Sequence, residues 1–347
     1  MSRSFARRHR RSVAVLLTVG ACLPAACSSG QSGGGHPSSP AASSASAQAS
    51  TTPAKPPAVA PLTGLPGATA RPVIVVKIEN SPESRPQSGL QAADIVTEEL
   101  VEGGETRFAA FFQSGDPGQV GPVRSVRNVD AQIVGPTHGI LAFSGGAAPA
   151  LSAVSHAGVH LVQEGDSSGG FVRVRTRSAP HNLYLRVAAL WRAAGSATPS
   201  SYLPIAATAT AGGKAATSLT LAFSTFERPS WAYDRATKRW LRSETGGRAA
   251  VSSNGARLVA DNVLILRVSV RDAGYRDPAG NPVPESVFTG SGQAQLLTGG
   301  QQFTGTWSKG GTSAPVQLKG ADGRPLTLLP GRTWIELVPV QGSVQIR

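Results

Sequence analysis

This chain of 347 residues has two cysteines, Cys22 and Cys27, and none after them. Everything downstream of Cys27 therefore lacks a disulfide framework, a thiol nucleophile or a redox pair, which excludes cysteine-dependent transpeptidation and thiol exchange. Acidic residues are also scarce, 20 Asp and Glu against 33 Lys and Arg, for a net charge of +13. Long apolar runs are missing as well. The run Val13 to Ala21 falls well short of the roughly 20 residues that a membrane-spanning helix needs. The glycine pair in Ser144-Gly145-Gly146 lacks the Lys and Ser/Thr of a phosphate-binding P-loop. No catalytic triad or metal-ligand set is complete, and no cofactor is implied.

What stands at the start of the chain is an address. Arg3, Arg7, Arg8, Arg10 and Arg11 precede the short apolar run, and small residues then lead to cysteine, the pattern of an export signal. Residues 1–27 read as a lipoprotein-type signal peptide ending at a lipidated Cys27, with Cys22 as the alternative; a plain cleaved signal also fits. Residues 28–60 are almost wholly Ser, Ala, Gly, Pro, Thr and Gln, a composition too poor in apolar surface to offset the entropy of ordering, and read as a disordered stalk. The expected location is outside the cell, lipid-anchored to the outer face of the cytoplasmic membrane.

The positive charge is unevenly spread. Residues 61–195 hold 11 basic and 11 acidic residues, whereas residues 196–347 hold 16 and 9. On an exported protein such an excess points to anionic lipid headgroups or anionic wall polymers, and not to nucleic acid. Solvated strand faces are the plainer explanation.

Residues 61–195 alternate between strand-like and helix-like stretches. Val73 to Asn80, Asp94 to Leu100, Thr106 to Gln113 and Ile140 to Phe143 read as strands, with Gly103-Gly104 as a hairpin signal. Helices are expected from Pro122 to about Val134, from Ala147 to His156, and from Leu183 to Ala194 with Asn182 as cap. This predicts an α+β (or α/β) N-terminal domain with a mixed sheet and flanking helices. Residues 196–215 read as a linker. Residues 216–347 carry short strand-like runs, including Leu219 to Phe223, Trp231 to Tyr233, Val263 to Val270, Leu326 to Leu329 and Trp334 to Val338, and predict a smaller mainly-β C-terminal domain.

Polar islands between Arg71 and Asn182 mark a site made from strand ends and turns. Arg124 and Arg127, three apart at an expected helix start, suit a carboxylate or phosphate. Ser144-Gly145-Gly146 adds backbone donors. The candidate ligand-binding set is Arg85, Gln87, Arg107, Arg124, Ser125, Arg127, Gly145, Gly146, His181 and Asn182. The same arginines could instead pair with Glu98, Glu102 or Asp94 to fix loops. Glu98 and Glu102 with His181 form the catalytic candidates, although two glutamates four apart on one strand would stand about 13 Å apart, beyond the roughly 5–9.5 Å of paired glycosidase carboxyls. Trp231, Trp240, Trp307 and Trp334 are either a sugar-stacking face or core.

Several of these stretches resemble the YerB-like bacterial lipoprotein family, a two-domain family of unknown function: PLTGLP from Pro61, RPQSGLQAADIV from Arg85, EELVEGGETRFAAFFQS from Glu98, VGPVRSVR from Val120, APHNLY from Ala179, GTWSK from Gly305 and DGRPLTLLPGRTWIELVP from Asp322. Thr97 stands where the family pattern has an aromatic. The resemblance implies two domains and supplies no reaction. The expectation is thus a membrane-anchored binding module for an anionic small ligand, a wall polymer or an envelope protein. The alternatives are an envelope hydrolase or transferase and a structural scaffold.

Overall fold

The computed structural model describes residues 58–347 apart from Ser168 and Ala209. The expected signal, both cysteines and all but the last three residues of the expected stalk lie outside the described residues.

The β-branched run forms β1 (Ile74–Glu79), and the two runs flanking Gly103-Gly104 form β2 (Ile95–Leu100) and β3 (Thr106–Phe112), an antiparallel hairpin with Val96 opposite Ala110. In its turn Gly103 and Gly104 take φ of 70° and 76°, left-handed values that a side chain would resist. There follow β4 (Gln119–Val120), α1 (Asp130–Val134), β5 (Ile140–Phe143), α2 (Ala148–Ser155), β6 (His160–Gln163), β7 (Phe171–Arg173), β8 (Leu183–Arg186) and α3 (Val187–Ala194). The second half is strand throughout. It opens with β9 (Lys214–Ala215), β10 (Ser218–Ala222), β11 (Ser230–Asp234), β12 (Arg239–Ser243) and β13 (Val259–Ala260). A long β14 (Asn262–Arg276) follows, then β15 (Pro282–Val287), β16 (Gly290–Thr298), β17 (Gln301–Lys309), β18 (Gln317–Gly320), β19 (Thr333–Pro339) and β20 (Ser343–Ile346).

One mixed sheet runs through both halves in the order β18-β17-β16-β14-β19-β2-β3-β1-β5-β6, with β15 beside β14 and β9 beside β17. The join is parallel pairing of β19 with β2, Thr333 opposite Ile95 and Glu336 opposite Glu98. One face packs on α1, α2 and residues such as Tyr202 and Phe288. The other packs on α3, the three-stranded sheet β4-β8-β7 and the five-stranded sheet β13-β12-β11-β10-β20. With both faces covered, β1, β3 and β19 are buried at every position, so the polar alternation of a half-exposed strand is gone. Both apolar clusters draw only on residues between Leu62 and Ile346, so the body from residue 58 carries its own core.

Several expectations are corrected. The expected mixed sheet is present, but the fold is mostly β and its helices are few and short: the α-helices among the described residues have five, eight and eight residues. No helix starts at Pro122. Residues 121–126 are extended because their backbone donors serve neighbouring strands, Val123 N to Leu183 O at 2.7 Å and Arg124 N to Lys77 O at 2.9 Å. Leu183 to Arg186 is β8, and the helix begins only at Val187. Asn182 therefore caps nothing; its Oδ1 accepts from Arg173 Nη1 at 2.7 Å. Leu326 to Leu329 forms no strand beyond a single bridge of Leu328 to Ile205. The four tryptophans are core: Trp231, Trp240, Trp307 and Trp334 are all at most 3 % exposed.

Candidate functional site

Strands β14, β19, β2, β1, β5 and β6 run in one direction, with β3 reversed between β2 and β1. Their C-terminal ends form one edge, and most of the polar islands gather there: Glu79-Asn80 after β1, Glu102 to Glu105 after β2, Ser144-Gly145-Gly146 after β5. The chain leaves β1 toward β2 and leaves β5 toward β6, in opposite directions across the sheet. Such a divergence opens a crevice in parallel sheets and is where they commonly hold ligands. Here residues 123–126 wedge into it, with Ser144 N donating to Arg124 O at 3.1 Å and Val126 N to Gly145 O at 2.9 Å.

Because side chains alternate along a strand, Glu98 and Glu99 point to opposite faces. On the α1 face, Glu79 receives two partners: Arg124 Nε lies 3.3 Å from its Oε1 and His181 Nδ1 lies 2.9 Å from its Oε2. Arg124 and His181 each keep a side-chain exposure of 25 %. Beside them Glu102 is gripped by two arginines, Arg127 through a two-pronged contact (Nε to Oε2 at 2.8 Å, Nη2 to Oε1) and Arg107 Nη2 at 3.1 Å. Burial alone would raise the Glu102 pKa, but the hydrogen bond from Arg127 and the charge of Arg107 hold it below the usual carboxylate range. Burial and the nearby Arg127 and Arg124 charges push Arg107 down to about 10, with Glu102 and Glu79 opposing. Below this group Lys77 bridges Glu99 and Asp130 Oδ1, the latter at 2.8 Å, all three with no exposed side-chain surface. Burial, then Asp130, raises Glu99 to about 7 against the pull of Lys77.

On the opposite face Glu98 is fully buried with Arg242 Nη2 at 2.7 Å. Glu336, its register neighbour on β19, takes Arg242 Nη1 at 3.2 Å and Trp231 Nε1 at 2.9 Å. Burial raises Glu98 to about 8, with Glu336 adding and Arg242 opposing; burial raises Glu336 as well. Two fully buried carboxyls facing one guanidinium favour holding one proton between them, since burial opposes ionising both. The guanidinium lies 4.8 Å from the Trp334 ring centroid, so aromatics wall the triad.

The structure thus brings Arg107, Arg124, Ser125, Arg127, His181 and Glu102 to one face, near Gly145 and Gly146. It separates Glu98, which faces Arg242. Arg124 and Arg127 share no helical face. Arg85 turns to the second half, its Nη2 2.9 Å from Glu227 Oε2, and Gln87 is buried with its amide on Asn80 Oδ1 at 2.9 Å. The alternative that arginines fix loops holds for Arg107 and Arg127 on Glu102, but Glu98 and Asp94 take other partners: Asp94 Oδ2 accepts from Gln113 N at 2.7 Å.

Residues with no signal in the sequence complete the edge. β14 passes its last contact with β19 at Val268 and continues with β15 as a hairpin that overhangs the edge, Arg271 opposite Glu285 and Arg276 opposite Pro282. The hairpin is fastened to the wedge side by Tyr275 OH to Asn128 Oδ1 at 3.3 Å and Asn128 Nδ2 to Glu285 Oε2 at 3.2 Å. Under it lies a cavity of ≈ 410 Å³ lined by Ser125, Arg127 and Gly146 from the first half and by Tyr275, Arg276 and Asp277 from the second.

Comparison with known proteins agrees with this architecture. Residues 62–200 match the model described as "Protein of unknown function (DUF3048) N-terminal domain", and residues 219–335 match its C-terminal domain. A Bacillus subtilis (strain 168) protein named "Putative lipoprotein YerB" is 29 % identical over 296 residues, 81 % of this chain and 86 % of that protein. The crystal structure of YerB protein from Bacillus subtilis superposes with a TM-score of 0.71 at 26 % identity, over 83 % of this chain and 99 % of that one.

Proposed function

This chain belongs to the YerB-like, two-domain DUF3048 family of unknown function, and we propose that it is a lipid-anchored extracytoplasmic module that binds a small anionic ligand at the C-terminal edge of its sheet. The tether would be Cys27, with Cys22 as the alternative, after the basic and apolar leader; the name of the Bacillus subtilis relative supports a lipoprotein and does not choose between the cysteines. The observation that carries the binding role is the cavity under the β14–β15 hairpin, built from both halves and lined by two cations, Arg127 and Arg276, against one anion, Asp277. Beside it Arg107 and Arg127 hold Glu102, and Arg124 lies against Glu79. Its volume suits a ligand of one or two sugar-sized units, and its polar groups are few and convergent.

An acid–base enzyme using Glu98 or Glu102 with His181 gains no support from this geometry. Glu98 has no exposed surface, Glu102 is held as an anion between two arginines, and His181 turns to Glu79. A hydrolase or transferase reading would have to move to the Glu79–His181 pair, in which a carboxylate orients an imidazole.

Thermal unfolding of the wild type in the presence of inorganic phosphate and of citrate tests the binding role. A ligand at a hundred times its dissociation constant adds about 2.7 kcal/mol of stability. Arg124→Gln and Arg276→Gln should keep the unliganded melting temperature and lose this shift. A wild type unmoved by phosphate, citrate or anionic sugar phosphates would sink the proposal. Turnover of a wall-derived substrate that vanishes in His181→Gln would favour the enzyme instead.

A further inference from the structure

The end of the body opposite the candidate site has its own chemistry. Because β14, β19, β2, β1, β5 and β6 are parallel, their first residues, Asn262, Thr333, Ile95, Ile74, Ile140 and His160, lie at one end. The 57 residues that precede the described body join it at this end, for Gly331 N, just before β19, donates to Thr63 O at 2.8 Å.

Basic side chains collect there. Arg71 precedes β1 and stacks 3.6 Å from the Trp191 ring centroid, and Trp191 Nε1 donates to Pro72 O at 3.0 Å, which places exposed Arg192 beside them. Lys214 pairs with Gln302 at the start of β17. The β11–β12 turn carries Arg235, Lys238 and Arg239, all exposed, and Arg239 Nε lies 3.2 Å from Asp261 Oδ1, next to the start of β14. Arg332 directly precedes β19. Against these stand Asp94, Asp116, Asp234, Asp261 and, across a cavity from Lys214, Asp322, most of them committed. Asp94 is buried on the backbone of Gln113 and Ser114, Asp234 caps its own turn through Ala236 N at 3.0 Å and Thr237 Oγ1 at 2.7 Å, and Asp261 accepts from Arg332 N. Among the described residues no glutamate lies at this end. Two exposed apolar side chains join the cations, Val59 at 53 % and Leu65 at 42 % exposure.

We infer that this end is a docking face for a membrane surface bearing anionic lipid headgroups. The cations are spread across the end of the molecule, and of them only Lys214 lines a cavity, one that Asp322 also borders; the spread suits a charged plane and not a discrete small anion. Each basic residue near such a surface contributes on the order of a fivefold gain in partitioning, within a Debye length of about 8–10 Å. Val59 and Leu65 stand where short apolar insertions would add to that attraction. Docked this way, the body presents the polar edge away from the lipid, about 20 Å farther out for six-residue strands at roughly 3.3 Å per residue. The inference concerns the surface of the body and does not need the lipid tether.

Flotation of residues 58–347, which hold both apolar cores, with phosphatidylcholine vesicles containing or lacking phosphatidylglycerol tests it. Association is expected with phosphatidylglycerol, should weaken as salt is raised, and should fall on the order of tenfold in Arg235→Gln/Lys238→Gln. The pair Arg228→Gln/Arg248→Gln, exposed at the opposite end, should bind as the wild type does. Absence of binding, equal binding to phosphatidylcholine alone, or equal loss in both pairs would overturn the inference. So would capture by soluble polyphosphate in preference to vesicles, which would point to a wall polymer as the occupant.

Discussion

Glu98→Gln should flatten the pH dependence of stability without unfolding the protein. In the native state burial lifts the Glu98 carboxyl from about 4.5 to about 8, with Glu336 adding and Arg242 opposing. The folded protein therefore keeps a proton that the unfolded chain releases across this window, and its contribution is fully present below pH 4.5, declines as pH rises, and is lost above about 8. At roughly 1.4 kcal/mol per unit the ceiling is about 5 kcal/mol. Sharing of one proton with Glu336 makes about 2–4 kcal/mol a reasonable expectation. A glutamine amide is shaped like the protonated acid: it can donate to Glu336 and accept from Arg242 at the position where Nη2 lies 2.7 Å from Oε2. Urea unfolding at intervals from pH 5 to pH 8.5 should show wild-type stability falling across the series and a shallower fall in Glu98→Gln, with the two proteins within about 1 kcal/mol of each other at pH 5. Some slope will remain, because Glu99 is raised to about 7 and titrates in the same direction. Glu102, held low by Arg127 and Arg107, loses its contribution only below this range. If Glu98→Gln instead costs about 3–5 kcal/mol at pH 7 and above, Arg242 requires an ionised Glu98 and the shared proton is refuted.

Two further outcomes are expected. Arg242→Met leaves Glu98 and Glu336 buried without a cation and should cost about 3–5 kcal/mol at pH 7.5 by urea unfolding, with partial recovery when Glu98→Gln and Glu336→Gln are added. Gly139→Ala places a methyl group on the Val73 carbonyl oxygen, which also accepts from Ile140 N at 2.9 Å; it should cost about 1–3 kcal/mol by thermal unfolding, and a neutral result would show that β1 and β5 can part.

What could be read from the chain followed from local chemistry. β1 is legible in its β-branched run, the β2–β3 hairpin in Gly103-Gly104, and α2 in the small residues after Ser144-Gly145-Gly146. The wedge at 121–126 was not legible, because Pro122 suits a helix start and only the demands of Lys77 O, Leu183 O and Gly145 O keep the segment extended. β8 reads as helix for a related reason: Leu183 and Val187 have helical spacing, but Leu183 to Arg186 pair with β4 and β7. For the site, the first half supplied most of its residues in readable islands. The hairpin that roofs the cavity belongs to a strand whose sequence gives no hint that it outruns β19. Arg242 and Glu336 give no signal either, being 94 residues apart on two different sheets, β12 and β19, that meet only in the folded chain.

The neighbouring glutamates of β2 explain why so many candidate residues are present and so few are free. Glu98 and Glu99 lie on opposite faces of one strand, and each buried carboxyl demands a cation. Glu99 takes Lys77 from the same half, whereas Glu98 takes Arg242 from the other, so the strand that joins the halves by β2–β19 pairing also joins them by charge. Arg85 repeats this through Glu227 and Glu244. Substitutions at Glu98, Arg85 or Arg242 will therefore report on the union of the two halves before they report on any ligand. Arg124, Ser125, His181 and Arg276 keep accessible surface at the same edge without holding that union, and it is with these four that recognition can be separated from folding.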